Sequence, residues 1–220
     1  MAPQIPRTIV FAASKGGCGK STICAALAVQ AVKEGSRVAL IDAEPQKSLT
    51  LWWGLRGKPG NPFMSPYDSE PMIEADAFKA EGYQWVFVDT VPAMMDHINT
   101  AVAGADFVVI PTRVSAFDLA ATRVVVGACR LHGKPFCFVL NATDPKWKTG
   151  IASAITQLKK LGPVVPKTIR QRTVYASALM AGKTGPEARD AKEAKAAADE
   201  VRAVWAAIQR MAAGKVGASR

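Results

Sequence analysis

Five short apolar runs, each followed by enough chain for a helix, do most to limit what these 220 residues can fold into. They are TIVFAA (8–13), RVALID (37–42), WVFVDT (85–90), FVVIPT (107–112) and PFCFVLN (135–141). All are rich in Val, Ile and Phe, and none alternates apolar with polar residues. A strand with one wet face alternates; a run that is apolar throughout suits a parallel sheet covered on both sides. Helical patterns occupy 20–34, 72–81, 94–104, 116–132 and 150–161. The repeated β-α order predicts a doubly wound, mostly parallel α/β sheet with helices on both faces, folded as a single domain over 1–220. A short sixth strand is expected at VVPKTI (164–169), and a long helix around 186–213, interrupted near its start. Residues 57–71, crowded with proline and glycine, can be neither helix nor central strand and read as a surface loop.

The first run leads into SKGGCGKST (14–22), which opens a helix carrying Ile23, Leu27 and Ala31 on one face. The general phosphate loop is G-x-x-x-x-G-K-[ST]. Counting back from Gly19-Lys20-Ser21, its first glycine should fall at position 14, where this chain has Ser14, followed by a lysine, Lys15. The strand–loop–helix context is nevertheless the one a phosphate site needs. Gly16, Gly17 and Gly19, with Cys18 among them, let backbone N–H groups turn inward around phosphate oxygens. The helix N-terminus adds its partial positive charge. Lys20 is placed to reach the β- and γ-phosphates, Ser21 to ligate Mg²⁺, and Thr22 to lie beside the α-phosphate.

Lys15 gives the loop a second identity. The pattern K-G-G-x-G-K-[ST] resembles the deviant Walker A motif of the ParA/MinD family of P-loop ATPases. Further segments are similar to that family's: VALIDAEPQKSLTLWW, WVFVDTVPA, VVIPTRVSAFDL and TIRQRTVYASALMAGKTGPE, in the family's order and spacing. The short form looks most like the small plasmid-partition ParA (ParF-like) proteins. The resemblance implies ATP and Mg²⁺ as cofactors, and a homodimer formed with ATP in which Lys15 touches the phosphates bound by the other subunit. It implies that Asp42 sits near Mg²⁺ and the attacking water, that Asp89 holds Mg²⁺ through a water, and that Asn141 contacts the adenine. It also implies weak ATP hydrolysis stimulated by a centromere-binding, ParB-like partner, and binding of the dimer to non-specific DNA. Three departures stand out: Glu44 where the family has a second aspartate, and Val91 and Val114 where it has prolines.

Charge fits a polyanionic partner. Residues 1–110 carry 9 Lys+Arg against 11 Asp+Glu, whereas residues 111–220 carry 19 against 7. From 159 onward Lys159, Lys160, Lys167, Arg170, Arg172, Lys183 and further cations could meet DNA phosphates without reading bases. A MinD-like, membrane-associated alternative would use Val201, Val204, Trp205, Ile208 and Met211, which follow helical spacing, but packing of that stripe on the sheet is the favoured expectation. A nucleotide-binding scaffold that positions another cargo is a further alternative. No apolar run approaches the roughly 18 to 20 residues of a membrane span, and the start shows no secretory signal, so the expected location is cytoplasmic, on the nucleoid. Cys18, Cys24, Cys129 and Cys137 have no zinc spacing and read as small buried thiols. An iron-protein relative with a similar loop would need Cys129 and Cys137 to bridge a cluster, which their place in or beside core elements opposes.

Overall fold

A computed structural model describes residues 7–65, 70–91 and 95–214. Its elements are β1 (Arg7–Phe11), α1 (Lys20–Lys33), β2 (Val38–Asp42), α2 (Ser48–Leu55), β3 (Phe63–Met64), α3 (Pro71–Ala80), β4 (Trp85–Asp89), α4 (Met95–Gly104), β5 (Phe107–Thr112), α5 (Ala116–Leu131), β6 (Phe136–Leu140), α6 (Lys148–Lys159), α7 (Thr173–Leu179) and α8 (Ala191–Ala212). The sheet has six strands in the order β3-β2-β4-β1-β5-β6, every pairing parallel. The α/β architecture read from the five apolar runs is therefore the one the chain adopts.

Strand residues serve two cores in strict alternation. Ile9, Phe11, Leu40, Phe87, Val109 and Val139 face one core, closed by α1, α2, α7 and α8. Val10, Ile41, Val88, Val108, Phe138 and Leu140 face the other, closed by α3, α4, α5 and α6. Both faces of the sheet are buried, which is why the strands show no polar alternation. The apolar stripe of α8 lies in the first core. Val201, Val204, Trp205 and Ile208 are fully buried, and Met211 packs against them. Trp205 meets Trp85 and Phe87 edge to face at 4.8 and 5.6 Å, and its indole N–H donates to Glu34, the residue just after α1, at 3.0 Å. The stripe is thus committed to the sheet. Among the described residues, no helix is long and apolar enough to cross a membrane.

Three details differ from expectation. The sixth strand does not form at 164–169: that segment touches β6 through one isolated bridge, Phe138 with Val164, and a second bridge, Thr143 with Arg170, lies just beyond both. Pro163 and Pro166 each lack the N–H that a continuous ladder needs. The edge strand β3 instead comes from within 57–71, as a two-residue pairing with Ala39 and Leu40 of β2. The long C-terminal helix begins at Ala191, after a 3-10 turn at Gly185–Glu187, with the Asp190 side chain accepting from the Glu193 N–H.

Candidate functional site

The order of strands makes a crevice. β1 lies between β4, reached through β2, and β5, from which the chain continues to β6, so connections run away from β1 in both directions. Ligands of open α/β sheets bind outside the carboxyl ends of strands at such a switch point. The loop after β1 fills it. Gly17 and Gly19 hold φ of +74° and +93°, and Gly19 is the residue before α1. At Gly19 a Cβ would stand 2.1 Å from the Asn141 amide nitrogen, so only glycine fits. Ser14, found where the general loop begins with glycine, donates its hydroxyl to the Ala121 carbonyl on α5 at 2.6 Å. That bond anchors the start of the loop, which therefore departs from the general motif by construction.

The two lysines sit differently. Lys20 is 5% exposed and begins α1. The Lys15 side chain is 52% exposed on the rim, 3.5 Å from an Asp118 carboxylate oxygen and 5.8 Å from the Phe117 ring centroid. Ser21 and Thr22, the next residues of α1, line a cleft of about 630 Å³ with Gly17, Gly19 and Lys20. Gly16 is exposed, with open space where a Cβ would be. The Cys18 thiol lies beneath the loop with Ile110, Ala121 and Thr122, and burial raises its pKa against the pull of Lys20. Cys18 is not among the residues that line the cleft, although its carbonyl accepts from Asn141 on the cleft wall.

Asp42 and Asp89 end adjacent strands and are register partners. Asp42 is well supplied with donors: Thr50 N–H at 2.8 Å, Thr50 hydroxyl at 2.9 Å and Glu44 N–H at 3.2 Å. Asp89 is the opposite case. It is 0% exposed and neither carboxylate oxygen accepts a hydrogen bond. Burial pushes its pKa up to about 7; the nearby Ser21 hydroxyl and Lys20 pull it down, and Asp42 and Glu44 push it further up. The Ser21 hydroxyl is close enough to matter electrostatically but falls outside hydrogen-bond geometry. A buried carboxylate without donors is costly unless a cation completes it. The donor set of Ser21 and Asp89 therefore fits Mg²⁺.

Asn141 follows β6 and donates to the Cys18 carbonyl at 2.8 Å, bracing the loop from the cleft wall. The far wall is α2, held at both ends. Its N-terminal turn is tied to Asp42 through Thr50, while Arg56 pairs in bidentate fashion with Glu187 at 2.8 and 2.9 Å. Burial raises the Glu187 pKa, but the Arg56 and Thr184 bonds outweigh it and hold the carboxyl below its usual range. Arg172, expected among the DNA donors, is instead taken up by Glu193 at 2.5 Å and by buried Glu200 at 2.8 Å, with its side chain only 10% exposed. It braces the cleft-lining segment 170–176 and is removed from the list of free cations. Cys129 and Cys137 are fully buried in different cores, on opposite faces of the sheet, so they cannot share a cluster at one surface. Among the described residues no group of three or more His, Cys, Asp or Glu is arranged to hold a metal.

Sequence reasoning passed over Arg113, Asp118 and Thr50. Arg113 is a charged residue immediately after a buried parallel strand, and that position alone marks the ligand edge of such a sheet.

Fold, switch point and glycine loop define a P-loop nucleotide-binding protein. The chain belongs to the family described as "CobQ/CobB/MinD/ParA nucleotide binding domain", whose model matches residues 9–201. Among relatives, it is 31% identical over 209 residues to "Maintenance of carboxysome distribution protein A" of Gloeobacter kilaueensis, covering 91% of this chain and 96% of that one. The protein of the same name from Halothiobacillus neapolitanus is 30% identical over 192 residues, covering 83% and 88%. The MinD cell division protein of Aquifex aeolicus superposes with a TM-score of 0.77 at 18% identity, over 92% of this chain and 97% of that structure, a likeness of fold.

Proposed function

We propose that the chain is a ParA-type ATPase that binds DNA as an ATP-dependent dimer and positions a large cargo. The observation that carries this reading is the division between two loop lysines, one buried in its own site and one half-exposed on the rim. Backbone N–H groups of residues 16–19 would cradle the phosphates, with Lys20 neutralising the β and γ groups and Thr22 beside the α group. Ser21 would hold Mg²⁺ directly and Asp89 would hold it through a water. When bound, the ion neutralises phosphate charge and fixes phosphate orientation. Asp42, its carboxylate immobilised by Thr50 and Glu44, keeps a lone pair to orient the attacking water. Glu44 lines the same cleft with a longer arm than the family's aspartate, which would move that water and slow the reaction. Asn141 stands on the wall left for the adenine. In a face-to-face pair Lys15 would leave Asp118 for the phosphates of the other copy, supplying charge as a trans arginine finger does.

DNA is the track in this reading. Lys159, Lys160, Lys167, Lys183, Lys192 and Arg202 are exposed and can act as phosphate contacts. The partner would be a ParB-like, centromere-binding protein that stimulates hydrolysis and releases the dimer, with the protein cytoplasmic and nucleoid-associated. A second reading keeps the same machinery with a protein body as cargo, and the carboxysome-distribution relatives favour it. Fluorescence anisotropy on random-sequence duplex tests the shared core. Affinity should appear with ATP and Mg²⁺ and fall steeply with salt, in proportion to the phosphates contacted. Absence of ATP-dependent binding at low salt would remove the DNA track from both readings.

A further inference from the structure

The geometry points to Arg113 as an additional phosphate-binding cation of the nucleotide site, acting within its own protomer. Arg113 is the first residue after β5, and β5 pairs directly with β1. Its side chain therefore emerges beside the loop that follows β1. The guanidinium donates to the Gly17 carbonyl and lies 3.6 Å from the point where a Gly17 Cβ would stand. Arg113 lines the same cleft as Lys20, Ser21 and Thr22.

Two further facts make it a binding group rather than a solvated surface charge. Among the described residues Arg113 has no carboxylate within ion-pair reach, whereas its neighbour Lys15 is held by Asp118. Its bond to Gly17 uses one donor of a group that carries five in a planar fork, so the remainder are free to meet phosphate oxygens. Glycine at 17 also keeps the loop surface low where the guanidinium rests, since any side chain there would start within van der Waals contact of it. The polyphosphate of ATP carries more negative charge than Lys20 and one divalent ion together balance. Arg113 supplies the next cation without waiting for a second copy of the chain.

This inference rests on the nucleotide reading and predicts a pattern distinct from that of Lys15. Isothermal titration of Arg113→Gln and Arg113→Lys with ADP, ATP and inorganic pyrophosphate, each with Mg²⁺, tests it, using thermal melting to confirm that both variants fold. Arg113→Gln should weaken all three ligands by about tenfold, as loss of one charge-assisted contact does. Arg113→Lys should recover about half of that loss on a logarithmic scale, because a point charge keeps the attraction and loses the fork. The loss should shrink at high salt. Unchanged affinities in Arg113→Gln would overturn the proposal while leaving the nucleotide site intact. An equal loss in the Gln and Lys variants, insensitive to salt, would also overturn it, since that is the signature of a loop brace. Wild-type protein that binds none of the three would overturn the nucleotide reading itself, and this inference with it.

Discussion

The two flanks of the phosphate loop are built to different standards. On the β2–β4 side, Asp42 and Asp89 sit in register on neighbouring strands, and Lys20 is closed over by helix and sheet. Thr50 and Glu44 hold Asp42 in place, and α2 is tied down beyond them by Arg56 and Glu187. On the β5–β6 side, Lys15 and Arg113 are exposed, and a single weak ion pair restrains Lys15. The lesson is one of preorganisation. In the proposed reading, the groups that would serve the protomer's own metal and attacking water are fixed in advance, where rigid placement is worth most. The cations proposed to meet a second copy or the outer face of the phosphates remain at the rim, where reorienting them costs little.

The sharpest way to break this contrast is Lys15→Ala. In the proposed dimer two trans contacts would be lost, each a charge-assisted bond of about 1.5–3 kcal/mol, so the ATP-dependent dimerisation constant should fall by about 10²–10⁴. Light scattering reads the dimer, and ADP affinity should hold. Retained dimerisation would place Lys15 outside the interface. Lys20→Ala comes next. It removes the buried cation, and ATP and ADP affinities should fall together by about 10²–10³ while the fold persists. A loss confined to ATP would mean that the flanks share their work instead of dividing it.

Asp89→Asn probes the built flank through pH. In the absence of nucleotide, the carboxyl titrates at about 7 in the folded protein, because burial raises it from the ordinary 3.8. Between those values the folded state holds a proton that the unfolded state has lost. Stability from this group is therefore full below about pH 4, declines as pH rises, and reaches its floor above about pH 7. Replacement by Asn removes the decline. Apo Asp89→Asn should thus melt higher than wild type at pH 8, by a margin of up to about 4 kcal/mol, and the margin should vanish near pH 4. With Mg²⁺ and ATP the order should reverse, because the cation that completes the carboxylate finds no partner in the variant. A margin independent of pH would show that the carboxylate is not the source.

These flanks were also unequally legible in the amino-acid sequence. Buried-flank residues are strand ends and loop glycines, and strand ends are marked by local pattern. Asp42 and Asp89 close apolar runs, and Lys20 opens a helix after glycines. Local rules see such positions because the backbone itself places them. The rim depends on contacts distant in the chain: Lys15 with Asp118, Asn141 with the Cys18 carbonyl, Ser14 with Ala121, Arg113 with Gly17. No periodicity reports them. Arg172 shows the converse error. It reads as one cation in a basic stretch, and only the fold brings Glu193 and Glu200 from α8 to meet it. The strand expected at 164–169 failed for a similar reason, because apolar composition outweighed Pro166 within it and Pro163 just before it, neither of which has an N–H to give a ladder.

The smallest expected effect tests how loosely the rim is held. Asp118 restrains Lys15 and also accepts from the Ser115 hydroxyl at the start of α5. If the pairing is a resting place for the lysine, each protomer must break it before the dimer forms. An ion pair with one half-exposed partner is worth about 0.2–1 kcal/mol. Asp118→Asn keeps the shape of the helix start and removes the charge, so ATP-dependent dimerisation should strengthen a few-fold, with both protomers contributing. Adding salt to wild-type protein should narrow the gap, since screening loosens the same pair. A variant that dimerises less readily than wild type would mean that Asp118 guides Lys15 into the partner's site, and the rim would then be as preorganised as the flank across the loop.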